Sequence, residues 1–219
     1  PKGRGEQDKH ELIGYVANLA HHVDVGGGAP ASVGAFREVY QEGVIIPAVK
    51  LVENGKLVDD VFRLVLAQIR SKHETAGDFR AQVAANNTGA RRLAALVEHF
   101  GVDETRYYMN ELLAYTERRT KSELAKLPHG EFFADGYVDN DGFTDQRVHL
   151  NARIVIDDEG VLFDLTGSDE QRRAPVNSTF AQTFSACAYA LKCLIDTAVP
   201  TNAGFYKYVR VIAPLGTVT

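Results

Sequence analysis

The spacing of apolar and polar positions changes twice along the chain, dividing it into three stretches. Glu11 to Leu19 is a short apolar run suited to a buried strand. It leads straight into His21-His22-Val23-Asp24-Val25-Gly26-Gly27-Gly28-Ala29-Pro30, so a strand delivers two histidines and an aspartate to a glycine-rich loop. A second glycine break falls at Gln41-Glu42-Gly43, and the apolar run Val44-Ile45-Ile46 after it ends at Pro47. From Asp59 the period is helical: Val61, Phe62, Val65, Leu66 and Ile69 share a face, with Asp59 or Asp60 placed to cap the start. Thr75 opens a second helix through Phe79, Val83, Leu93, Leu96 and Val97, stopped by Gly101, with Gly89 as a point of interruption. Asp103 opens a third, through Tyr108, Leu112, Tyr115, Leu124 and Leu127, closed by Pro128-His129-Gly130.

From Glu131 the period becomes two. Val148, Leu150, Ala152, Ile154 and Ile156 alternate with His149, Asn151, Arg153 and Val155, which predicts a half-buried strand with the first set facing the core. Turns at Asp139-Asn140-Asp141-Gly142 and Asp157-Asp158-Glu159-Gly160 join it to neighbours as an antiparallel meander that includes Val161 to Leu165. A helix from about Phe180 to Thr197, capped by Ser178 or Thr179, and a strand over Tyr206 to Ile212 complete the pattern. The fold class is therefore α+β, a central helical segment flanked by β-strands, with an antiparallel meander in the second half. A subdivision, if present, falls near residues 127–130, where the period changes.

Composition narrows the classes of function. The chain has 219 residues, 45% hydrophobic and 24% charged, which describes a folded globular body. A net charge of −5 and scattered Lys and Arg exclude a general attraction to nucleic acid or an anionic membrane face. The apolar stretch from Ala186 to Leu194 is broken by Lys192 and is shorter than the roughly 20 residues needed to span a bilayer. Cys187 and Cys193, six positions apart on a helix, lie beyond disulfide reach and read as reduced core residues, which points to the cytoplasm. The N-terminus, Pro1 to His10, has neither an apolar signal core nor an initiator Met.

His21, His22 and Asp24 are the first chemical candidates. Imidazole nitrogen and carboxylate oxygen suit Zn, Mn or Fe(II), although the same residues also serve as rim histidines and a turn-capping aspartate. The glycines after them fit neither G-x-G-x-x-G nor G-x-x-x-x-G-K-[ST], so no nucleotide site is expected here. Asp139 to Gly142 is a hairpin turn and not a calcium loop, because Tyr137 stands where the first ligand must be. No G-x-S-x-G elbow is present, and neither cysteine sits in a nucleophile setting. Asp78 and Gln82, one helical turn apart, and Asp164-Leu165-Thr166-Gly167-Ser168 read as capping and turn residues.

In order along the chain, several of these segments resemble the hydantoinase B/oxoprolinase family, which includes the B-type components of N-methylhydantoinases, 5-oxoprolinase and subunits of acetone and acetophenone carboxylases. They are Leu19 to Gly27 with Pro30 and Ser32; Gln41-Glu42-Gly43 with Ile46-Pro47; Gly77-Asp78 with Ala81-Gln82; Phe163 to Ser168 with Gln171, Pro175 and Asn177; and Asn202, Gly204 and Pro214 to Thr217. The resemblance implies an A-type subunit or domain that binds and spends ATP to activate an amide or ketone oxygen, and a B-type part that holds a divalent metal. It implies metal ligands in the His-His-x-Asp segment together with an aspartate and a histidine from an upstream segment that this sequence lacks. Where the family has Pro-Gly-Ser, this chain has Pro30-Ala31-Ser32. On this reading residues 1–219 are an internal fragment of a hydantoinase B/oxoprolinase-type domain.

The leading expectation is a metal-dependent subunit of an ATP-dependent cyclic amide hydrolase acting on a small molecule within a hetero-oligomer. His21 and Asp24 are the expected direct ligands, their spacing letting both reach one ion across a loop, with His22 behind them or as an alternative ligand. Glu42 is the expected proton-transfer residue. The competing expectations are a subunit of an acetone/acetophenone-type carboxylase and a non-catalytic assembly module.

Overall fold

The computed structural model describes residues 11–32 and 34–219; the polar start, with its missing signal core, lies outside the described residues. Three helices fill the first half: α1 (Asp59–Ala67), α2 (Lys72–Phe100) and α3 (Val102–Leu124). The apolar period places Phe62, Val65 and, just past the helix end, Ile69 in the interior. Neither Asp59 nor Asp60 is the cap of α1, because Val58 holds that position. The two aspartates occupy the first turn instead, where the positive end of the helix favours them. α2 begins before Thr75, whose buried hydroxyl donates to the Asp24 carbonyl at 3.2 Å. It also runs unbroken through Gly89, since a Cβ there would lie 2.6 Å from Val16 Cγ1: the glycine is a packing site and not a break. α3 ends at Leu124, ahead of Pro128, whose ring disfavours helical geometry in the residue before it.

The predicted strand over Glu11 to Leu19 does not form. Among the described residues no strand pairs with it, and it lies along α2 instead. Asn18 donates to the Gln82 carbonyl at 2.9 Å and to Asn86 Oδ1 at 2.8 Å, and Leu12, Tyr15 and Leu19 are exposed. The strands of the first half are a short hairpin, β1 (Val52–Glu53) with β2 (Lys56–Leu57), turning at Asn54-Gly55 with positive φ at both residues.

The second half is a four-stranded sheet, β3 (Gly130–Val138), β4 (Val148–Asp157), β5 (Gly160–Asp164) and β6 (Val209–Ile212), in that spatial order. The first three strands are antiparallel, and β6 pairs parallel to β5. Between β5 and β6 the chain forms α4 (Phe180–Leu194) and the short α5 (Ala203–Tyr206). Thr179 caps α4, its hydroxyl accepting from the Gln182 N–H. The core joins Leu124 at the end of α3 to Ile156, Val161, Phe163, Leu191 and Phe205, so helical and sheet portions share one interior.

The register of β4 follows the alternation. Val148, Leu150, Ala152 and Ile154 line one apolar groove of about 580 Å³ with Cys187 and Ala190 of α4, and Ile156 joins the core. Cover is complete only at the ends of the strand: Val148 and Ile156 are buried, whereas Leu150 is 37% exposed. On the other face Arg153 pairs with Glu131 at 2.8 Å. The link from β3 to β4 is longer than the tight turn expected at Asp139 to Gly142. Asp141 organises it, its carboxylate accepting from the N–H groups of Phe143 at 2.8 Å and Thr144 at 2.7 Å. Of the two free cysteines, Cys187 is buried as expected but Cys193 is exposed, because it falls on the outer side of α4.

The single-turn 3-10 helix Pro30–Ser32 holds Ala31 at φ 59°, ψ 14°. This left-handed geometry costs an L-residue about 1 kcal/mol. Ala31→Gly is therefore expected to raise stability by up to about 1 kcal/mol, whereas Ala84→Gly on the exposed face of α2 should lower it by about 0.5–1 kcal/mol. Chemical denaturation of the two variants checks the opposite signs.

Candidate functional site

The His-His-x-Asp loop is built by close backbone approach. Gly28 N–H donates to the Gln41 carbonyl at 2.7 Å and Val44 N–H to the Val25 carbonyl at 2.8 Å, joining the glycine run to the Gln41–Val44 turn. Gly27 has φ 74°, and a Cβ on it would sit 2.3 Å from the Gln41 carbonyl oxygen. A side chain there would hold the two segments apart.

Asp24 sits under this junction and is fully buried. Its Oδ1 accepts from Gly26 N–H at 3.0 Å and from Arg70 Nη1 at 3.3 Å; its Oδ2 accepts from the backbone N–H groups of Arg70 at 2.8 Å and Ser71 at 3.3 Å. Arg70 and Ser71 immediately precede α2, so the carboxylate faces the positive end of that helix. Burial pushes the Asp24 carboxyl upward, but the backbone N–H groups of Arg70, Gly26 and Ser71 and the Arg70 guanidinium outweigh it and hold the group below the usual carboxylate range. Arg70 Nη2 also donates to the Gly27 carbonyl at 2.6 Å.

The two histidines diverge. His21 is exposed. His22 is largely covered, its Nδ1 3.1 Å from Asp78 Oδ2 and its ring 5.2 Å from that of Phe79. A carboxylate on Nδ1 fixes an imidazole's orientation and leaves Nε2 for another partner. Glu42 is exposed on the turn held against Gly27 and Gly28. It lines a polar basin of about 540 Å³ whose walls include none of His21, His22 and Asp24.

In this arrangement the described residues do not fit a metal shell. Asp24 spends both oxygens on four N–H donors, one of them cationic, and no group of three or more His, Cys, Asp or Glu side chains is placed to hold an ion among the described residues. Three partners of the loop were missed from sequence: Arg70, Ser71 and Asp78. Only Asp78 carried a signal. Its spacing from Gln82 puts both on the helix face along which residues 18–22 run, with Gln82 holding Asn18 and Asp78 holding His22.

Residues 5–219 match the family model described as hydantoinase B/oxoprolinase. An uncharacterized protein of Methanocaldococcus jannaschii is 38% identical over 95% of this chain and 36% of its own length. The B-type component of a putative D-/L-hydantoinase from a Pseudomonas species is 32% identical over 95% of this chain and 38% of its own length. The chain thus spans little more than a third of the length of these curated relatives. The crystal structure of an ATP-dependent caprolactamase from Pseudomonas jessenii superposes with a TM-score of 0.82 at 29% identity, covering 89% of this chain and 34% of that one.

The depressed Asp24 carboxyl gives its contribution a sign. Because the folded-state value lies below the unfolded one of about 3.9, the stabilisation is complete above that pH and is lost as pH falls through the folded-state value. Asp24→Asn is expected to be less stable than the parent at neutral pH, with the gap closing as the pH is lowered below about 4. Urea titrations from pH 7 to pH 2 measure it, and a gap independent of pH would show that the charge does not matter.

Proposed function

Because the chain belongs to the hydantoinase B/oxoprolinase family, we propose that it works within the B-type half of an ATP-dependent enzyme that opens a cyclic amide, with ATP held on a separate A-type subunit or domain. One observation carries the reading: nearly the whole chain aligns with proteins whose names specify hydantoin or caprolactam, and both rings contain the same reacting bond, a carbonyl carbon joined to a ring nitrogen. Opening that bond adds one water, hydroxyl to the carbon and proton to the nitrogen. Amide resonance makes the carbon a poor electrophile, which is the step that coupling to ATP assists. The relatives named as subunits support a hetero-oligomer, and the two free cysteines suit a cytoplasmic protein.

Glu42 is proposed for proton transfer at the attacking water or the leaving nitrogen, a role that requires the ring to reach the turn on which it stands. His21 and Asp24 are proposed as ligands of a divalent ion, Zn, Mn or Fe, in the longer protein, with His22 oriented behind them by Asp78. The described residues do not complete such a shell, so no chemical step is drawn through an ion. Among the described residues no helix is long and apolar enough to cross a membrane.

Two measurements test this reading. ATP consumption and ring opening should both require the full-length B-type chain together with its A-type partner; turnover of hydantoin, caprolactam or 5-oxoproline by the B-type chain alone, or without ATP, would overturn the division of labour. Metal analysis of the purified full-length protein should show loss of a bound ion in His21→Ala and in Asp24→Ala, and a loss of affinity of about 10- to 100-fold in His22→Ala. Unchanged metal content in the first two would leave the loop as a purely architectural element.

A further inference from the structure

β3 is an outer strand of the four-stranded sheet, and among the described residues no strand pairs with its free side. Every residue of it except the half-buried Gly136 is exposed, Phe133 at 71%. A free edge offers the N–H and C=O of alternate residues to any extended segment that approaches it. Strands that stay single at an edge are short, bulged, broken by Pro, or carry a charge pointing inward. β3 has none of these. It pairs with β4 residue for residue from Gly130 to Val138. The face it shares with Leu150 and Ile154 of the apolar groove consists of Phe132, Ala134, Gly136 and Val138, all uncharged.

The residues of β3 also select what pairs with it. Two copies related by a two-fold axis meet antiparallel, and they overlap along the whole strand only when Ala134, its midpoint, faces Ala134 of the second copy. In that register Glu131 faces Tyr137, Phe133 faces Asp135 and Phe132 faces Gly136, so no carboxylate opposes another. Moving the axis by one residue sets Glu131 against Asp135 in one direction and Asp135 against its own copy in the other. Both shifts oppose like charges, which is unfavourable. The full-overlap register also lays each Phe132 ring over a cross-strand glycine, shielding backbone that is otherwise open to water. There is room for it: a Cβ on Gly136 would meet nothing within 4 Å.

We propose that two copies of this chain pair edge to edge through β3, antiparallel about Ala134, so that two four-stranded sheets become one continuous sheet. The occupant of the free edge is a second B-type chain, chosen by the charge pattern and the Phe132–Gly136 contact. This pairing goes beyond the ring-opening reading and does not depend on it.

The test uses the full-length B-type chain. In analytical ultracentrifugation the parent should be a dimer, and Phe132→Lys, which sets an ammonium over Gly136 of the second copy, should weaken dimerisation at least about tenfold with an unchanged circular dichroism spectrum. Ala134→Cys gives a second readout that needs no loss of pairing. Facing cysteines on the axis would have Cα atoms roughly 4.5–5.5 Å apart, within disulfide reach, so mild oxidation should link the two chains. Val138→Cys is the control: its two copies would lie about 27 Å apart at roughly 3.4 Å per residue, and it should cross-link no more than the parent with its exposed Cys193. A monomeric parent, a dimer that Phe132→Lys leaves intact, or one in which Ala134→Cys links no better than Val138→Cys would overturn the proposal. The edge would then belong to a strand from elsewhere in the longer protein or from its A-type partner.

Discussion

A buried carboxylate that accepts four N–H groups is the constraint around which the first half of the molecule is arranged. Asp24 brings together its own loop through Gly26, the entry to α2 through Arg70 and Ser71, and the Arg70 guanidinium, which reaches on to Gly27. An unpaired charge at that depth is strongly unfavourable, so the two segments assemble together or the carboxylate stays in water. The glycines complete the same junction from the other side by letting the Gln41–Val44 turn approach the loop backbone. The pairing of His22 with Asp78 follows from this placement, since residues 22 to 24 are already held against the first turns of α2.

The elements legible in the sequence were those whose signal is periodic. Helices α1 to α4 and strands β3 to β5 arise from apolar positions repeating over many residues, and a local misreading shifts only their ends. Glu11 to Leu19 failed because an apolar run of that length fits an extended segment without stating what it pairs with, and here α2 supplies the partner. The Asn54-Gly55 hairpin was not read from the sequence, because two strand residues on each side are too few to show a period of two. The break read at Gly89 failed for another reason: the missing side chain is occupied by Val16, a contact between positions that no local pattern connects.

The candidate site shows the same boundary. The residue types in the loop, and its glycines, were visible as a constellation, but which groups meet depended on α2 arriving from far along the chain. Arg70 stands past the last turn of an amphipathic helix and had nothing in its neighbourhood to mark it. Nor does proximity in sequence guarantee a shared role: His21 and His22 are adjacent, yet one is exposed and the other rests on Phe79 with Asp78 at its ring nitrogen. Glu42 is tied to the loop by backbone contacts while its side chain lines a different hollow.

The parallel pairing of β6 with β5 bears on the order in which the chain assembles. β3, β4 and β5 are hairpin neighbours that form from contacts close in sequence, whereas Val209 meets Val161 only after α4 and α5 have been laid down between them. Closing so long a connection costs chain entropy before any contact repays it, which places β6 late on the folding route. Until it docks, β5 presents an open edge. Arg210 Nη2, 2.7 Å from each carboxylate oxygen of Asp157, and Nη1, 3.1 Å from Glu159 Oε2, then fasten the arriving strand to the tip of the hairpin already made. On a ribosome the meander would be synthesised and exposed well before its last strand emerges, so the interval while α4 and α5 are translated is when this sheet is open to pairing with a neighbouring chain.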